Sequence, residues 1–396
     1  MDSDVPYLHS DIIKNILKRL PAKSLIRFRS VCKDWKILLK NSSFIADHLQ
    51  QQSCHQIPSL LFECNHQPWR CCLHLLDSEL QVRKVHSVPR FKGARIVGSC
   101  NGLLCVEINQ RIPSLLSLWN PATSAIRDLP QGIFLDRFRR VTGFGFSPVV
   151  NDYKIVRIYS PYGDETPRIY APYDDETPRV EVFSLNTGSW RGMSIENLKK
   201  VSFKSNSSHV SANGAIFWLG AKRGVRQEGP YYLVVDDVKV VVSFDIAQEV
   251  FTVIPMPNLE DHRNAMLSVY DNKVAIVSDV RVQGSPDLVD LWVFDEDTCE
   301  SGTTWRRIKR YTSNISMDLT TVWSNAIVCK PSLYKEYTEE GRNVLYIINL
   351  TTNEFKRLVI PYCGPVKRVY NHMESIVSVW PWNGFLYYDI ERELPH

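Results

Sequence analysis

Val97-Gly-Ser-Cys-Asn-Gly-Leu-Leu-Cys-Val106, followed by Leu118-Trp-Asn-Pro-Ala-Thr123 and Ile126-Arg-Asp-Leu-Pro130, carries the pattern on which the architecture turns. Each run is short and rich in apolar or β-branched residues, and each is bounded by Asn-Gly, Asn-Pro or another turn pair. Runs of this kind read as strands joined by tight turns. An aromatic or large aliphatic residue returns two or three positions beyond the second turn, where a strand edge begins again.

The same unit recurs downstream. Gly143-Phe-Gly-Phe146 and Tyr153-Lys-Ile-Val156 lead to Val182-Phe-Ser-Leu-Asn-Thr-Gly-Ser-Trp190. The run from His209 to Trp218 leads to Val242–Ala247 and Phe251–Pro255. Lys273–Ile276 leads to Leu291–Asp295 and Trp305, and Ile327–Cys329 leads to Leu345–Thr352 and Phe355–Leu358. Upstream, Pro58–Phe62 with Leu73–Leu76 and Val82 makes a sixth unit. A period of roughly 40–50 residues in an all-β chain is the signature of propeller blades. One four-stranded blade cannot bury both its faces, so neighbours stack around an axis. The recurring aromatics are expected to fill the space between blades. The run Ser375–Val379 is expected to be the strand that joins the first blade and hides the open edges.

The first fifty residues differ in period. Ile12, Ile13, Ile16, Leu17 and Leu20 recur at three- and four-residue steps, as on one face of a helix. Ser10 or Asp11 suits the N-cap, and Leu20-Pro21 ends the helix. Pro21 can open a second helix carrying Leu25, Ile26, Phe28 and Val31. A third runs from Cys32 through Trp35, Leu38 and Leu39. Three short helices make too small a core for a free domain, so several apolar side chains must find partners elsewhere.

These residues carry a resemblance. Asp11-Ile-Ile-x-x-Ile-Leu-x-x-Leu-Pro21, then Lys23-Ser24-Leu25-x-Arg27-Phe28-Arg29-x-Val31-Cys32-Lys33-x-Trp35 and Phe44, resembles a plant F-box. One departure is visible: where many F-boxes have Leu-Pro near the start, Leu8 is followed by His9. The run Val97–Cys105 with Leu118–Thr123, and Gly143–Phe146 with Asp152–Val156, is similar to the F-box-associated, kelch-like region of plant F-box proteins. Within that family the chain looks nearest to S-locus F-box-like proteins and F-box/kelch-repeat immune regulators. The resemblance implies docking on a Skp-type adaptor, through it on a cullin, and capture of an unknown protein substrate. The adaptor-docking set it implies is Leu8, Ile12, Ile16, Leu17, Leu20, Pro21, Leu25, Val31 and Trp35, with some of these facing the module's own core instead.

The expected fold is a small all-α module of three helices followed by an all-β propeller of six kelch-like blades. Residues 1–50 form the adaptor-binding module, 51–57 a polar linker, and 58–396 the substrate-recognition propeller. The net charge of +4 lies wholly in the first fifty residues, which hold nine Lys/Arg against five Asp/Glu. A basic helical surface favours an acidic partner by steering, and the adaptors implied by the resemblance are acidic. These charges do not line one face with aromatics between them, so nucleic acid is not an expected partner. No run of about 18 apolar residues occurs, so no membrane span is expected, and the acidic start lacks a secretory apolar core. A cytoplasmic or nuclear location follows.

The ten cysteines then read as reduced thiols. The cluster Cys64-x-His66-x4-Cys71-Cys72-x-His74 has zinc-ligand residue types but no C-x2-C pair at finger spacing, so no metal or other cofactor is expected. Motifs for a catalytic nucleophile, a phosphate loop or a metalloprotease are absent, and Gly143-x-Gly145 reads as a strand feature. Two acidic turns, Pro161–Arg168 and Pro172–Arg179, repeat eleven residues apart and read as a protruding loop; Lys222–Gly229 reads as a second exposed insert. The alternative function is a stand-alone glycan- or protein-binding propeller with no ligase role. An oxidase of the galactose-oxidase type is more distant, for want of a copper constellation.

Overall fold

The computed structural model describes residues 8–67, 70–84, 94–108, 114–134, 139–160, 178–203, 209–228, 231–259, 262–280, 287–295, 305–313, 317–331, 344–360 and 366–381. Four helices come first: α1 (Ser10–Leu17), α2 (Ala22–Phe28), α3 (Lys33–Leu38) and α4 (Ser42–His55). The first three are six to eight residues long, lengths that are marginal without tertiary packing. The fourth was not expected. Asn41 caps it by accepting from Ser43 and Phe44 N–H at 2.9 and 3.2 Å, and it runs through the polar Gln50–His55 stretch read as linker. That stretch has no amphipathic period, but Gln52 and His48 are buried and hold it in place.

Among the described residues, twenty-five strands follow. Blade 1 takes β1 (Ser59–Gln67), β2 (Arg70–Leu76) and β3 (Val82–Lys84). Blade 2 is β4 (Ala94–Cys100), β5 (Leu103–Ile108), β6 (Leu115–Asn120) and β7 (Ala125–Asp128). Blade 3 is β8 (Arg139–Ser147), β9 (Asp152–Ser160), β10 (Arg179–Ser184) and β11 (Ser189–Met193). Blade 4 is β12 (Val201–Phe203), β13 (His209–Ala212), β14 (Ala215–Glu228), β15 (Tyr231–Asp245) and β16 (Val250–Pro255). Blade 5 is β17 (His262–Tyr270), β18 (Lys273–Val280), β19 (Asp287–Phe294) and β20 (Trp305–Ser313). Blade 6 is β21 (Met317–Trp323), β22 (Ala326–Pro331), β23 (Val344–Asn349) and β24 (Phe355–Val359). Finally β25 (Val366–His372) returns to pair antiparallel with β1, giving the sheet order β25-β1-β2-β3.

The first strands of the six sheets neighbour one another in a closed cycle, β25–β4–β8–β13–β17–β21 and back to β25. The six units read from the sequence are therefore six blades around an axis. The closing strand is not the expected one. Val366–His372 pairs with β1, from Ser59↔His372 to Cys64↔Val366, whereas Ser375–Val379 forms no strand. Both runs mix β-branched apolar residues with polar ones; the first pairs with β1, and the second is used elsewhere.

Turn chemistry explains the register. Asn101-Gly102, Asn213-Gly214 and Asp271-Asn272 hold positive φ at both residues, the geometry of the two-residue hairpins that match strand twist. The outer hairpins use a different turn. Asn120, Asp245 and Asn349 each accept two backbone N–H groups through Oδ1, at 2.8–3.3 Å. The chain then passes through a left-handed residue, Ser124, Glu249 or Asn353.

Aromatics and charges tie blade to blade. Trp190 Nε1 donates to the Pro130 carbonyl at 2.8 Å and Trp305 Nε1 to that of Pro255 at 2.7 Å, each reaching back to the end of the preceding blade. At the seam, Trp323 Nε1 donates to the Pro58 carbonyl at 2.5 Å. Glycine is required at Gly143, because a Cβ there would stand 2.3 Å from the buried Trp218 ring of blade 4. Glu107 of blade 2 is buried between Arg95, at 2.5 Å, and Arg140 of blade 3. Burial would raise its carboxyl pKa, yet Arg140 and Arg95 hold it down at about 2. Lys154 of blade 3 reaches the Ile246 carbonyl and Glu249 of blade 4, both at 2.7 Å.

Burial pushes His209 and His372, on the innermost strands, down to about 4. Both are neutral in the folded chain, and protons bind the unfolded chain first as pH falls. Stability should therefore be full above about pH 6.5 and fall towards pH 4, on the order of 2 kcal/mol per histidine at pH 5. Glu107 adds a second loss of the same sign below about pH 4.5. Urea unfolding at pH 7.5, 6 and 5 measures this, and a flat profile counts against it. Ending the chain at residue 365 removes β25 and leaves the β1 edge open. That chain should be insoluble on expression, and a soluble, monodisperse product would contradict ring closure.

Candidate functional site

The helical module presents apolar residues on two sides. His9 is the N-cap of α1, its Nδ1 accepting from Asp11 N–H at 3.4 Å, in place of the expected Ser10 or Asp11. Leu8, Ile12 and Ile16, four residues apart, are 51, 48 and 49% exposed, whereas Leu17 is buried at 1%. Four-residue spacing puts Ile12 and Ile16 on one side of α1, with Leu8 just ahead of the helix, and Ile13 packs on the core. Val31 and Ile37 add further exposure, 60 and 69%. Scattered exposed apolar residues are ordinary on a protein surface; five between Leu8 and Ile37 are a concentration.

The core side is shared with the propeller. Leu17, Ala22, Leu25, Leu39, Phe44 and Ile45 belong to one buried cluster with residues of blades 2 and 3 and with Ile376, Val377 and Val379. The apolar residues that a small module could not cover by itself thus find partners within this chain. His48 of α4, also buried, lies 2.9 Å from the Leu20 carbonyl through Nε2 and braces the break between α1 and α2. Burial moves its pKa down, against the bond to Leu20. Phe28 and Trp35 pack with their rings tilted and their centroids 5.4 Å apart, and Cys32 Sγ accepts from Trp35 N–H at 3.4 Å at the start of α3.

The expected docking set therefore divides. Leu8, Ile12, Ile16, Pro21 and Val31 are exposed. Leu20 and Trp35 are half-buried against the core, and Leu17 and Leu25 lie inside it. Leu17 and Leu25, nearly wholly buried, are among those of the set that face the core. Ile37 was missed, because Leu38 and Leu39 beside it satisfy the helical period and left it unassigned.

The hairpins Asn101-Gly102, Asn213-Gly214 and Asp271-Asn272 and the Asx turns join strands at the ring face that meets the helices. The other ends of the strands form the opposite face. Lys222–Glu228 is not a loose insert there. Strands β14 and β15 continue their pairing to Glu228↔Tyr231, past a bulge at Lys222/Arg223, as a hairpin longer than its neighbours. In blade 3 the duplicated acidic turns begin where Tyr159 pairs with Arg179; residues 161–177 lie outside the described residues. Of the Cys/His cluster, the backbone sets Cys64 opposite Cys72, and His74 stacks on Phe62 at 5.4 Å; the side chains of residues 64–72 lie outside the described residues.

Known proteins resemble the chain in both parts. An F-box domain model matches residues 6–47, and an F-box associated beta propeller domain model matches residues 59–380. The F-box protein At3g07870 of Arabidopsis thaliana is 29% identical over 72% of this chain and 68% of its own. The F-box/kelch-repeat protein At3g17530 of the same plant is 26% identical over 74% of this chain and 71% of its own. Among solved structures, TolB from Acinetobacter baumannii aligns with a TM-score of 0.44 at 13% identity, over 83% of this chain and 72% of that one; a likeness at that level carries no functional weight. No helix among the described residues is long and apolar enough to cross a membrane. With an F-box domain ahead of a six-bladed ring, the chain belongs to the F-box associated beta-propeller family.

Proposed function

We propose that this chain is the substrate-recognition subunit of an SCF-type (Skp–cullin–F-box) E3 ubiquitin ligase. The observation that carries the reading is the exposed apolar side of α1, Ile12 and Ile16, with Leu8 just ahead of the helix and Val31 and Ile37 also exposed, on a module matched by the F-box model. Among the described residues, none of these side chains belongs to the core, and covering them with a partner is favourable by about 25 cal/mol per Å² of apolar surface buried. The partner of choice is a Skp-type adaptor, bridging to a cullin. The basic surplus of the first fifty residues would steer an acidic adaptor to this face. Residues 1–50 serve docking, and the propeller's face opposite the helices, where the long β14–β15 hairpin stands, holds the target protein.

In this role the chain is not an enzyme. It positions a target, and the chemistry of ubiquitin transfer belongs to other subunits. A cytoplasmic or nuclear site of action goes with this role.

The test is co-expression with a plant Skp-type adaptor and size-exclusion chromatography. Ile12→Asp/Ile16→Asp should weaken the adaptor complex by about a hundredfold or more while thermal unfolding of the chain alone stays nearly unchanged, since both side chains are exposed. Leu17→Ala should do the reverse in kind, costing about 2–5 kcal/mol of stability by opening a cavity. A native chain that is soluble and never co-elutes with the adaptor would overturn the reading.

A further inference from the structure

After β25 closes the ring, residues 373–380 leave the sheet and pass between the helices and blade 2 as irregular chain. Ile376, Val377 and Val379 are buried in the same core as Leu17, Leu25 and Leu39. On the helical side, Ser53 Oγ lies 3.9 Å from the Met373 sulfur and Lys23 pairs with Glu374 at 2.8 Å. On the propeller side, Asn120 Nδ2 donates to the carbonyls of Ser375 and Val377 at 3.0 and 2.8 Å. Ser375 Oγ donates to the Asn101 carbonyl at 2.5 Å. Arg127 donates to the Val379 carbonyl at 3.4 Å and lies over the Trp380 ring at 5.0 Å. Gly102 leaves room for the crossing: a Cβ there would stand 2.3 Å from Ser375 Oγ and 2.7 Å from the Met373 carbonyl oxygen.

Asn120 is fully buried and does two jobs with two ends of one amide. Its Oδ1 builds the outer hairpin turn, the job Asp245 does in blade 4. A carboxylate is therefore sufficient for the turn, and the NH2 group of Asn120 is committed to the crossing segment alone. With the Ser375 and Val377 carbonyls both bonded to this buried amide, the segment is fixed to blade 2.

We propose that residues 373–380 are a strap, pinned by the Asn120 amide, that fuses the helical module and the propeller into one cooperative unit. The docking face is then held at a set direction from the ring instead of swinging on a linker. The fusion stands independently of the ligase reading. Its consequence, a constant span between adaptor and target, rests on that reading.

Hydrogen exchange of the full chain, measured by mass spectrometry without adaptor, tests the strap even if no adaptor binds. Asn120→Asp keeps the turn acceptor, removes both donors and sets a carboxylate against two carbonyls. Exchange of the α1–α4 amides and of residues 373–380 should rise together, on the order of tenfold or more, while blades 4 and 5 keep native protection. Ser375→Ala removes the bond to Asn101 and the one Val377 N–H makes to Ser375 Oγ at 3.3 Å; it should act the same way with smaller amplitude and replaces Asn120→Asp if that variant does not fold. Helices that keep native protection while residues 373–380 loosen would overturn the proposal.

Discussion

The antiparallel pairing of Val366–His372 with Ser59–Gln67 is the contact on which the rest of the molecule depends. Blades bury their faces against neighbours, so an open row would leave one apolar face and two unpaired edges exposed at its ends. Joining residues some 300 positions apart costs chain entropy, but that cost grows only with the logarithm of the loop, and the closed cycle of innermost strands offsets it. Closure also determines where the helices go. The chain enters blade 1 at Pro58, whose carbonyl is held by Trp323 of blade 6, and it leaves by residues 373–380. Both ends of the ring thus lie at the seam, and the helical module is fastened by both.

The module shows how a small unit divides its apolar residues. Three helices of six to eight residues cannot enclose a core of their own. Ile13, Leu17, Leu25 and Leu39 are covered from within the chain, by blades 2 and 3 and the returning strap. Leu8, Ile12 and Ile16 are not covered. The same shortage therefore produces both an internal joint and an external surface. The ring contributes stiffness through ties that cross blade boundaries: tryptophan N–H to proline carbonyl, and Glu107 between Arg95 and Arg140. Buried charges of this kind are costly unless fully paired, so their pairing favours one register of neighbouring blades over others.

Several features were legible because they are local. The six units, the Asn-Gly hairpins and the helical period of Ile12–Leu20 each depend on residues within a few positions of one another, where steric preference and side-chain alternation act directly. The sixteen residues between Asn101 and Leu118, by contrast, say nothing of which turn the strap will cross. The α4 helix was hidden because Gln50–His55 has no amphipathic stripe, and it forms because Gln52 and His48 are buried by distant chain.

What the amino-acid order determined by itself was the inventory: helices first, then six β-units with their turns, aromatics and glycines, and an F-box spacing unbroken from Asp11 to Trp35. Only the tertiary structure decided which copy of a local pattern is used for what. Val366–His372 and Ser375–Val379 are both short runs carrying valines among polar residues, yet one closes the ring and the other becomes a strap. Ile16 and Leu17 are neighbours with the same hydrophobicity, yet one meets solvent and the other the core. Periodicity states that a face is apolar; which surface covers it depends on contacts between residues hundreds of positions apart.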